Sequence, residues 1–357
     1  MHLNTLQSPT LRLAQRVAQA RAQGLPALSL STPSFPHAPL QVIDATIDLR
    51  LGTDVGDTEC RSILAQTLFR RWNAKAHQLV LTSGAKASLL CLYATLRSST
   101  SKLVCLTPAW PTYWGLAHVL NLPVELIPRA LGERWSIDLQ RVEAVLKKGD
   151  IVVLSNPCNP TGRVYSRAEL DSLNSVCQRA RAWLILDESF SETTEPGDAY
   201  FDCGSLPSKS TIVINSISKN YLAQGWRLGA VFASPRVLEA YARMQTALVS
   251  PPATVLQALA SSVMLIPAEF AALSTRRQHV HAQLLQSGYE CHLSTGSFYL
   301  FPRRQGLAEV LPNLEASHHA YVLDGTAFGL DDPHAFRLCL LQSDDSLKSI
   351  LRVLESL

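Results

Sequence analysis

The chain has 357 residues, of which 47% are hydrophobic, enough for one large domain or two moderate ones around a substantial core. Its formal net charge is only +3, so we expect no nucleic-acid partner. No uninterrupted apolar stretch reaches the roughly 18 residues of a membrane-spanning helix. The N-terminal sequence also lacks the basic start and apolar stretch of a secretory signal. We therefore expect a cytoplasmic protein.

Cysteine and histidine usage gives no sign of a metal site. The eight cysteines are scattered and none forms a C-x-x-C pair, so we interpret them as reduced, mostly buried thiols. The ten histidines lack the spacing of metal ligands, and the His318–His319 pair is more typical of a loop or surface. We expect no bound metal.

Strand-like and helix-like segments alternate through the first two thirds of the chain. A helix is predicted over residues 11–24. The later helical patterns are Ala85–Leu96, Trp114–Leu120, Leu139–Leu146 and Arg167–Ala180. The short apolar segments, typical of buried strands, are Leu79–Thr82, Leu103–Leu106, Val124–Ile127, Ile151–Ser155, Trp183–Asp187, Ile212–Ser216 and Gly229–Ala233. This alternation predicts an α/β fold whose mostly parallel sheet is covered on both faces.

The pattern changes after about residue 235. A long helical region runs to about Gln286, with interruptions near Pro251-Pro252 and Pro267, and two strand-like pieces follow, Ser297–Phe301 and Phe336–Leu340. A last helix is predicted over 345–357. We predict a large domain over residues 46–245, and a smaller α+β domain formed by residues 1–45 together with 246–357.

The strongest chemical signal is the segment 215–219, which ends in Lys219 and precedes Gly-Trp-Arg-Leu-Gly at 225–229. A lysine amine at a strand end is a nucleophile suited to a Schiff base with an aldehyde. Ser216, Ser218 and Arg227 can bind a phosphate through charge-assisted hydrogen bonds. The alternative is a surface lysine and arginine beside a turn.

A second signal is an acidic residue at the end of a predicted strand. Asp187 closes the apolar segment 183–187, and the carboxyl ends of strands face the crevice where α/β sheets bind ligands. An ionised carboxylate there would keep a pyridine nitrogen protonated, which makes the ring an electron sink. A helix N-cap explains Asp187 alone equally well.

Two further segments are weaker on their own. A strand leads through Gly84 into a helix beginning near Ala85 and Lys86, and helix N-termini favour phosphate groups. Many α/β proteins have such a turn. Trp110 follows another predicted strand and could stack on a cofactor ring, although core packing is the more common role for a lone tryptophan.

The order of these motifs resembles the class I/II aminotransferase family, the fold-type I enzymes that use pyridoxal 5'-phosphate. The resemblance covers roughly residues 10–350. It rests on G-A-K at 84–86, P-A-W-P at 108–111, N-P-C-N-P-T-G at 156–162, D-E-S-F at 187–190 and the lysine and arginine motifs at 215–229. It implies a large domain with a mostly parallel seven-stranded sheet, a smaller α+β domain, and a pyridoxal phosphate cofactor.

Roles in the family can be carried to matching positions. Lys219 looks like the lysine that binds the cofactor and moves the α-proton, and Asp187 like the partner of the pyridine nitrogen. Asn159 matches the residue that contacts the cofactor's phenolic oxygen and the substrate carboxylate, and Arg337 the arginine that grips that carboxylate. Trp110 matches the ring-stacking position. The phosphate-binding positions are matched by Gly84, Ala85, Lys86, Ser216, Ser218 and Arg227.

Three positions depart from the family pattern. Phe190 stands where many members have a tyrosine that donates to the phenolic oxygen. Leu51 replaces a tyrosine that reaches the phosphate of the neighbouring subunit. Ser31 replaces a glycine, so it would crowd or bond whatever lies near the substrate carboxylate.

The resemblance implies an aminotransferase that acts at Cα of an L-amino acid, passes the amino group to a 2-oxo acid, and forms a homodimer. The three departures leave a second interpretation open, in which a related enzyme cyclises, eliminates or decarboxylates its amino acid. A non-catalytic binding module is a third interpretation, disfavoured because Lys219, Asp187 and Arg337 are all present.

Overall fold

A computed structural model describes residues 8–34, 52–195, 209–260 and 270–357. Its centre is a seven-stranded sheet with the strand order β2-β8-β7-β6-β5-β3-β4. Strand β8 is antiparallel to both of its neighbours, and the other pairings are parallel. The strands are β2 (Leu79–Thr82), β3 (Leu103–Thr107), β4 (Val124–Pro128), β5 (Ile151–Ser155), β6 (Trp183–Asp187), β7 (Thr211–Ser216) and β8 (Gly229–Phe232).

Helices cover both faces of this sheet, as the alternating pattern predicted. Most of its strands are buried along their whole length, since apolar clusters pack on either side of them. Some helix starts are clear from local chemistry: Ser166 and Glu169 form a capping box at the start of α6. The helices of this part are α2 (Thr58–Gln66), α3 (Ala85–Leu96), α4 (Thr112–Val119), α5 (Leu139–Val145), α6 (Arg167–Ala180), α7 (Ile217–Asn220) and α8 (Pro235–Leu248).

The C-terminal part has its own apolar core, which includes Leu30 from the N-terminal segment. Two small strand pairs support it: β1 (Leu28–Ser29) lies parallel to β10 (Ala320–Tyr321), and β9 (Tyr299–Leu300) antiparallel to β11 (Leu338–Cys339). Its helices are α9 (Thr254–Ala258), α10 (Ala271–Gln286), α11 (Leu307–His318) and α12 (Asp344–Glu355), and α1 (Pro9–Ala22) precedes β1.

The N-terminal segment therefore joins the C-terminal part through β1, the arrangement expected of the smaller domain. The predicted boundary at residues 45 and 46 lies outside the described residues, so the domain division stays a prediction. Within the described ranges, no helix is both long and apolar enough to cross a membrane.

The C-terminal elements match the prediction in part. The interruption predicted near Pro251-Pro252 is present, because α8 ends at Leu248 and α9 begins at Thr254. Pro267 lies outside the described residues. The predicted strands 297–301 and 336–340 shorten to β9 and β11. Helices α2 and α11 were not predicted, and α11 contains Pro312, a residue that usually interrupts a helix.

Candidate active site

Most of the residues predicted to bind the cofactor or substrate lie together at one edge of the sheet. Strands β2, β3, β5, β6 and β7 run in the same direction, so their carboxyl ends, and the loops that follow, meet there. A cavity of about 590 Å³ opens at this edge. The predicted residues that line it are Ala85, Lys86, Trp110, Asn159, Asp187, Ser216, Ser218, Lys219, Arg227 and Arg337.

Lys219 lies in the short helix α7, directly after β7, and its amine points to the cavity. Its Nζ donates a hydrogen bond to Oε1 of Gln224 at 3.2 Å. Burial lowers the pKa of Lys219 to about 8, and the positive charges of Arg337 and Arg227 act in the same direction. An amine with this pKa is partly unprotonated near neutral pH, which is the form that attacks an aldehyde or accepts a proton.

Asp187 is the last residue of β6 and is almost fully buried. Ser189 donates to Oδ1 from both its backbone N–H and its hydroxyl, at 3.0 and 2.6 Å, and Tyr113 donates to Oδ2 at 2.8 Å. Burial raises the pKa of Asp187, while these hydrogen bonds counteract the shift. No lysine or arginine of the described residues forms an ion pair with it. A buried carboxylate of this kind favours a cationic ligand group beside it.

The start of α3 and the loop after α7 form a candidate anion site, with Arg227 between them. Arg227 donates from Nη1 to Oγ of Ser218 at 3.3 Å and from Nη2 to the carbonyl oxygen of Ser83 at 3.3 Å. Gly84 has φ +83°, and a Cβ atom there would lie 2.8 Å from Arg227 Nη2. Only glycine lets the guanidinium lie this close to the helix N-terminus, where free N–H groups and a guanidinium suit a phosphate.

Lys86 and Trp110 lie next to each other on the cavity wall. The Lys86 Nζ is 5.8 Å from the centroid of the Trp110 ring, a cation–π distance. Burial lowers the pKa of Lys86, and the positive charge of Arg227 adds to the effect. Trp110 also packs edge-on against Tyr113, with ring centroids 5.6 Å apart, so both aromatic side chains are held in place.

Arg337 is buried and lies across the cavity from the sheet. Its Nη1 donates to Oδ1 of Asn159 at 3.0 Å, and its Nε and Nη2 donate to the carbonyl oxygen of Ser31 at 3.0 and 2.7 Å. The guanidinium also stacks over the rings of Tyr299 and Phe328, at 4.4 and 4.9 Å from their centroids. These contacts fix the plane of the guanidinium, so its N–H groups are preorganised to bind a carboxylate.

The side chain of Ser31 binds the backbone of Arg337 and of Leu323. The Ser31 hydroxyl donates to the carbonyl oxygen of Arg337 at 2.7 Å and accepts from the backbone N–H of Leu323 at 2.9 Å. Ser31 is fully buried. The residue thus supports Arg337 from behind, and its predicted contact with the substrate carboxylate stays a prediction.

Phe190 packs against the C-terminal part. Its ring lies edge-on to Phe298 and Tyr299, with centroid distances of 5.1 and 5.8 Å, while it also lines the cavity. Leu51, another departure from the family pattern, lies outside the described residues.

A buried arginine outside the predicted set ties two site loops together. Arg129 donates to the carbonyl oxygens of Leu106, Thr107 and Pro108, at 2.9, 3.3 and 2.6 Å, and its Nη2 lies 3.5 Å from Sγ of Cys158. The first three residues precede Trp110, and Cys158 precedes Asn159. Arg129 therefore fixes the loop that carries Trp110 relative to the loop that carries Asn159, the residue that contacts Arg337.

The sequence reasoning missed several cavity residues. Tyr113 and Ser189 bind Asp187, Gln224 binds Lys219, and Tyr299 lies under Arg337. Two of these residues lie close in the sequence to predicted site residues. Tyr113 follows Trp110 by three residues at a helix start, and Ser189 follows Asp187 by two. Leu11 and other residues of α1 also line the cavity, which the helical pattern alone could not indicate.

These residues fit pyridoxal phosphate. The lysine amine suits its aldehyde, the buried carboxylate without a cationic partner suits its protonated pyridine nitrogen, and the Gly84–Arg227 region suits its phosphate. Trp110 supplies an aromatic face beside them. Among the residues that the structure describes, no cluster of three histidine, cysteine, aspartate or glutamate side chains could hold a metal ion.

Comparison with known proteins gives a consistent result. The family model for aminotransferase class I and II matches residues 29–354. The aspartate aminotransferase of Bacillus subtilis is 24% identical over 373 residues, covering 96% of this chain and 94% of that protein. The aspartate/prephenate aminotransferase of Nitrosomonas europaea is 26% identical, with coverage of 98% and 96%.

Solved structures share the fold. The aspartate aminotransferase of Thermotoga maritima superimposes with a TM-score of 0.88 at 22% identity, covering 98% of this chain and 96% of that one. The aromatic aminotransferase of Pyrococcus horikoshii gives a TM-score of 0.81 at 18% identity, with coverage of 96% and 98%. The chain therefore belongs to the aminotransferase class I and II family and is a pyridoxal-phosphate-dependent enzyme.

Proposed function

We propose that this enzyme transfers the α-amino group of an L-amino acid to a 2-oxo acid, with Lys219, Asp187 and Arg337 as its central residues. The observation that carries the proposal is their position on one cavity, where an amine, a buried carboxylate and a guanidinium face the same space. Each group answers a separate need of the reaction: a base, a partner for the pyridine nitrogen, and a carboxylate clamp.

Pyridoxal phosphate supplies an aldehyde that takes up the amino group and a ring that withdraws electrons from Cα. Lys219 then has two tasks, to hold the cofactor and to move the proton of Cα once its amine is released. Its pKa of about 8 suits both, because part of the amine is unprotonated near the working pH of most enzymes. Asp187 stabilises the protonated pyridine nitrogen, and the anion site around Arg227 holds the phosphate.

Arg337 decides which bond of the substrate breaks. A guanidinium that grips the α-carboxylate through two parallel hydrogen bonds fixes the rotation of the substrate about the Cα–N bond. With the carboxylate held by Arg337, the proton of Cα would face the amine of Lys219, so loss of this proton would be favoured over loss of the carboxylate. Asn159, bonded to Arg337, keeps the clamp next to the cofactor site.

Transamination is favoured over cyclisation, elimination and decarboxylation, because the family and the two relatives described above are aminotransferases. Their names make L-aspartate the first amino donor to test. We also propose a cytoplasmic homodimer. The cytoplasmic assignment is supported by the seven described cysteines, which are all free thiols, and light scattering would test the dimer.

The test is to incubate purified enzyme with L-aspartate and 2-oxoglutarate and to follow both products by chromatography. We expect oxaloacetate and glutamate to form in equal amounts. If aspartate fails, a panel of other amino acids with 2-oxoglutarate follows. Release of carbon dioxide or ammonia from an amino acid without any 2-oxo acid would instead identify one of the alternative reactions.

A further inference from the structure

The loop between α7 and β8 brings a neutral side chain to the lysine amine. After α7 ends at Asn220, a single helical turn at Gln224–Trp226 reverses the chain toward β8. Trp226 anchors this turn, because its indole Nε1 donates to the carbonyl oxygen of Leu256 at 3.0 Å and its ring packs on the core. Gln224 consequently lines the cavity beside Lys219.

Gln224 makes two different polar contacts. Its side-chain Oε1 accepts from Nζ of Lys219 at 3.2 Å, and its backbone carbonyl oxygen accepts from Nη1 of Arg227 at 3.0 Å. The same Arg227 Nη1 donates to Oγ of Ser218, the residue before the lysine. One residue therefore connects the reactive amine to the arginine of the anion site.

We propose that Gln224 is a positioning residue for Lys219, holding the released lysine amine at the cavity wall for proton transfer at Cα. The proposal rests on the proposed function, since it concerns the proton step of that reaction. It assigns to Gln224 a role that acts through the lysine.

The neutrality of Gln224 matters to this role. Among the described residues, the charged or titratable groups that act on Lys219 include Cys339, Arg337 and Arg227, of which the two arginines disfavour its protonated form. The amide oxygen of Gln224 orients the amine through a hydrogen bond without adding a negative charge. A carboxylate at the same position would also accept the hydrogen bond, but it would favour the ammonium form and remove the base near neutral pH.

The step moves one proton from carbon to nitrogen. The lysine nitrogen would form an N–H bond with the proton of Cα, and the electron pair of the broken C–H bond would pass to the electron-withdrawing ring that the cofactor supplies. The lysine must approach Cα with its lone pair directed at the proton. Loss of one hydrogen bond of ordinary strength at this amine should slow the step roughly 3- to 10-fold.

The variants are Gln224→Met, which keeps the length of the side chain but removes the acceptor, and Gln224→Glu, which keeps the acceptor and adds a charge. Gln140→Glu is the charge control, because Gln140 is an exposed residue of α5. The side chain of Gln224 is itself exposed, so the substitutions leave the apolar core unchanged.

The first measurement uses the full chain stripped of cofactor. Trace acetylation of Lys219 with acetic anhydride, followed by peptide mass spectrometry across pH, reports the titration of its amine. We expect a midpoint near pH 8 in the unsubstituted chain. In Gln224→Glu the midpoint should rise by about 1 unit, while in Gln140→Glu it should not move. An unchanged midpoint in Gln224→Glu would rule out the contact between Gln224 and Lys219.

The second measurement is a single turnover with an amino acid deuterated at Cα. Gln224→Met should slow the turnover and increase its deuterium isotope effect, with little change in the substrate concentration needed for half-maximal rate. A Gln224→Met variant with the rate and isotope effect of the unsubstituted enzyme refutes the positioning role. If no protein, substituted or not, completes the half-reaction with any amino acid, the proposed function fails, and the acetylation midpoints still decide whether Gln224 holds Lys219.

Discussion

Arg337 donates a 3.0 Å hydrogen bond from Nη1 to Oδ1 of Asn159, and this bond connects the C-terminal part of the chain to the carboxyl edge of the central sheet. Both side chains are buried at the cavity. Because a substrate carboxylate would bind this guanidinium, the contact places the clamp at a fixed distance from Lys219 and Asp187. The first prediction tests that clamp.

Replacing the guanidinium with an ammonium should weaken substrate binding. In Arg337→Lys, the planar two-bond grip on a carboxylate is lost although the charge remains. We expect kcat/KM for the amino donor to fall roughly 10- to 100-fold. Steady-state kinetics measures this, with Arg179→Lys as the matched control, since Arg179 forms an exposed ion pair with Glu143. Equal kinetics in the two variants would exclude Arg337 as the clamp.

Tyr113 should lower the pKa of Asp187, the carboxylate that we expect to hold the pyridine nitrogen. Tyr113→Phe removes the 2.8 Å hydrogen bond to Asp187, and because that bond favours the ionised form, its loss raises the pKa of Asp187 further. We expect the Kd for pyridoxal phosphate to rise roughly 3- to 10-fold, and to rise more steeply as the pH falls, since a protonated Asp187 no longer attracts the cation.

The control for this experiment is Tyr289→Phe, in which the lost hydroxyl bonds the carbonyl oxygen of Leu354 in the C-terminal part. Equilibrium dialysis at several pH values gives the affinities of both variants. A pH dependence in Tyr113→Phe identical to that of the unsubstituted enzyme would contradict the role given to Tyr113.

Gly84 should be required for phosphate binding. Gly84→Ala places a methyl group 2.8 Å from Arg227 Nη2 at a residue with φ +83°, and a strained backbone of this kind costs roughly 1–3 kcal/mol. The variant should lose affinity for pyridoxal phosphate but not for pyridoxal, which has no phosphate. Gly225→Ala is the control, because a Cβ there meets nothing within 4 Å. A parallel loss of affinity for both aldehydes would show that the anion site lies elsewhere.

The titration of Lys219 should govern how fast the cofactor is loaded. Burial lowers the pKa of Lys219 to about 8, and only the unprotonated amine attacks the aldehyde. The rate of reconstitution with pyridoxal phosphate should therefore rise with pH and level off above a midpoint near 8. The growth of visible absorbance after mixing reports this rate. A midpoint near that of a free lysine, about 10.4, would mean that the amine is not buried as described.

The residues that the sequence predicted well lie at the ends of strands. Asp187 ends one apolar segment and Lys219 follows another. The strand character of both segments is local, and parallel strands bring their carboxyl ends together. The seven strands of the sheet, six helices of the chain and about half of the cavity residues could therefore be located from patterns of a few residues.

Other parts depend on contacts between distant segments. Ser31 bonds Arg337 through both its hydroxyl and its backbone carbonyl oxygen, and a sequence does not specify which groups face a partner 306 residues away. Gln224 directly precedes the Gly-Trp-Arg-Leu-Gly segment, but only the fold of the loop shows that its side chain reaches Lys219. Nothing in the sequence near Arg129 marks that residue. The division of 236–286 into shorter helices followed from Pro251 and Pro252, which the pattern had already indicated as an interruption.

The most direct test is a single turnover with the amino donor alone. Purified enzyme loaded with pyridoxal phosphate is mixed with an amino acid substrate and no 2-oxo acid, and the absorbance and the oxo-acid product are followed. We predict one equivalent of oxo acid per active site, loss of the visible band, and its return on adding a 2-oxo acid, with none of these changes in Lys219→Ala. Continued product formation without a 2-oxo acid, or full activity in Lys219→Ala, would contradict the account.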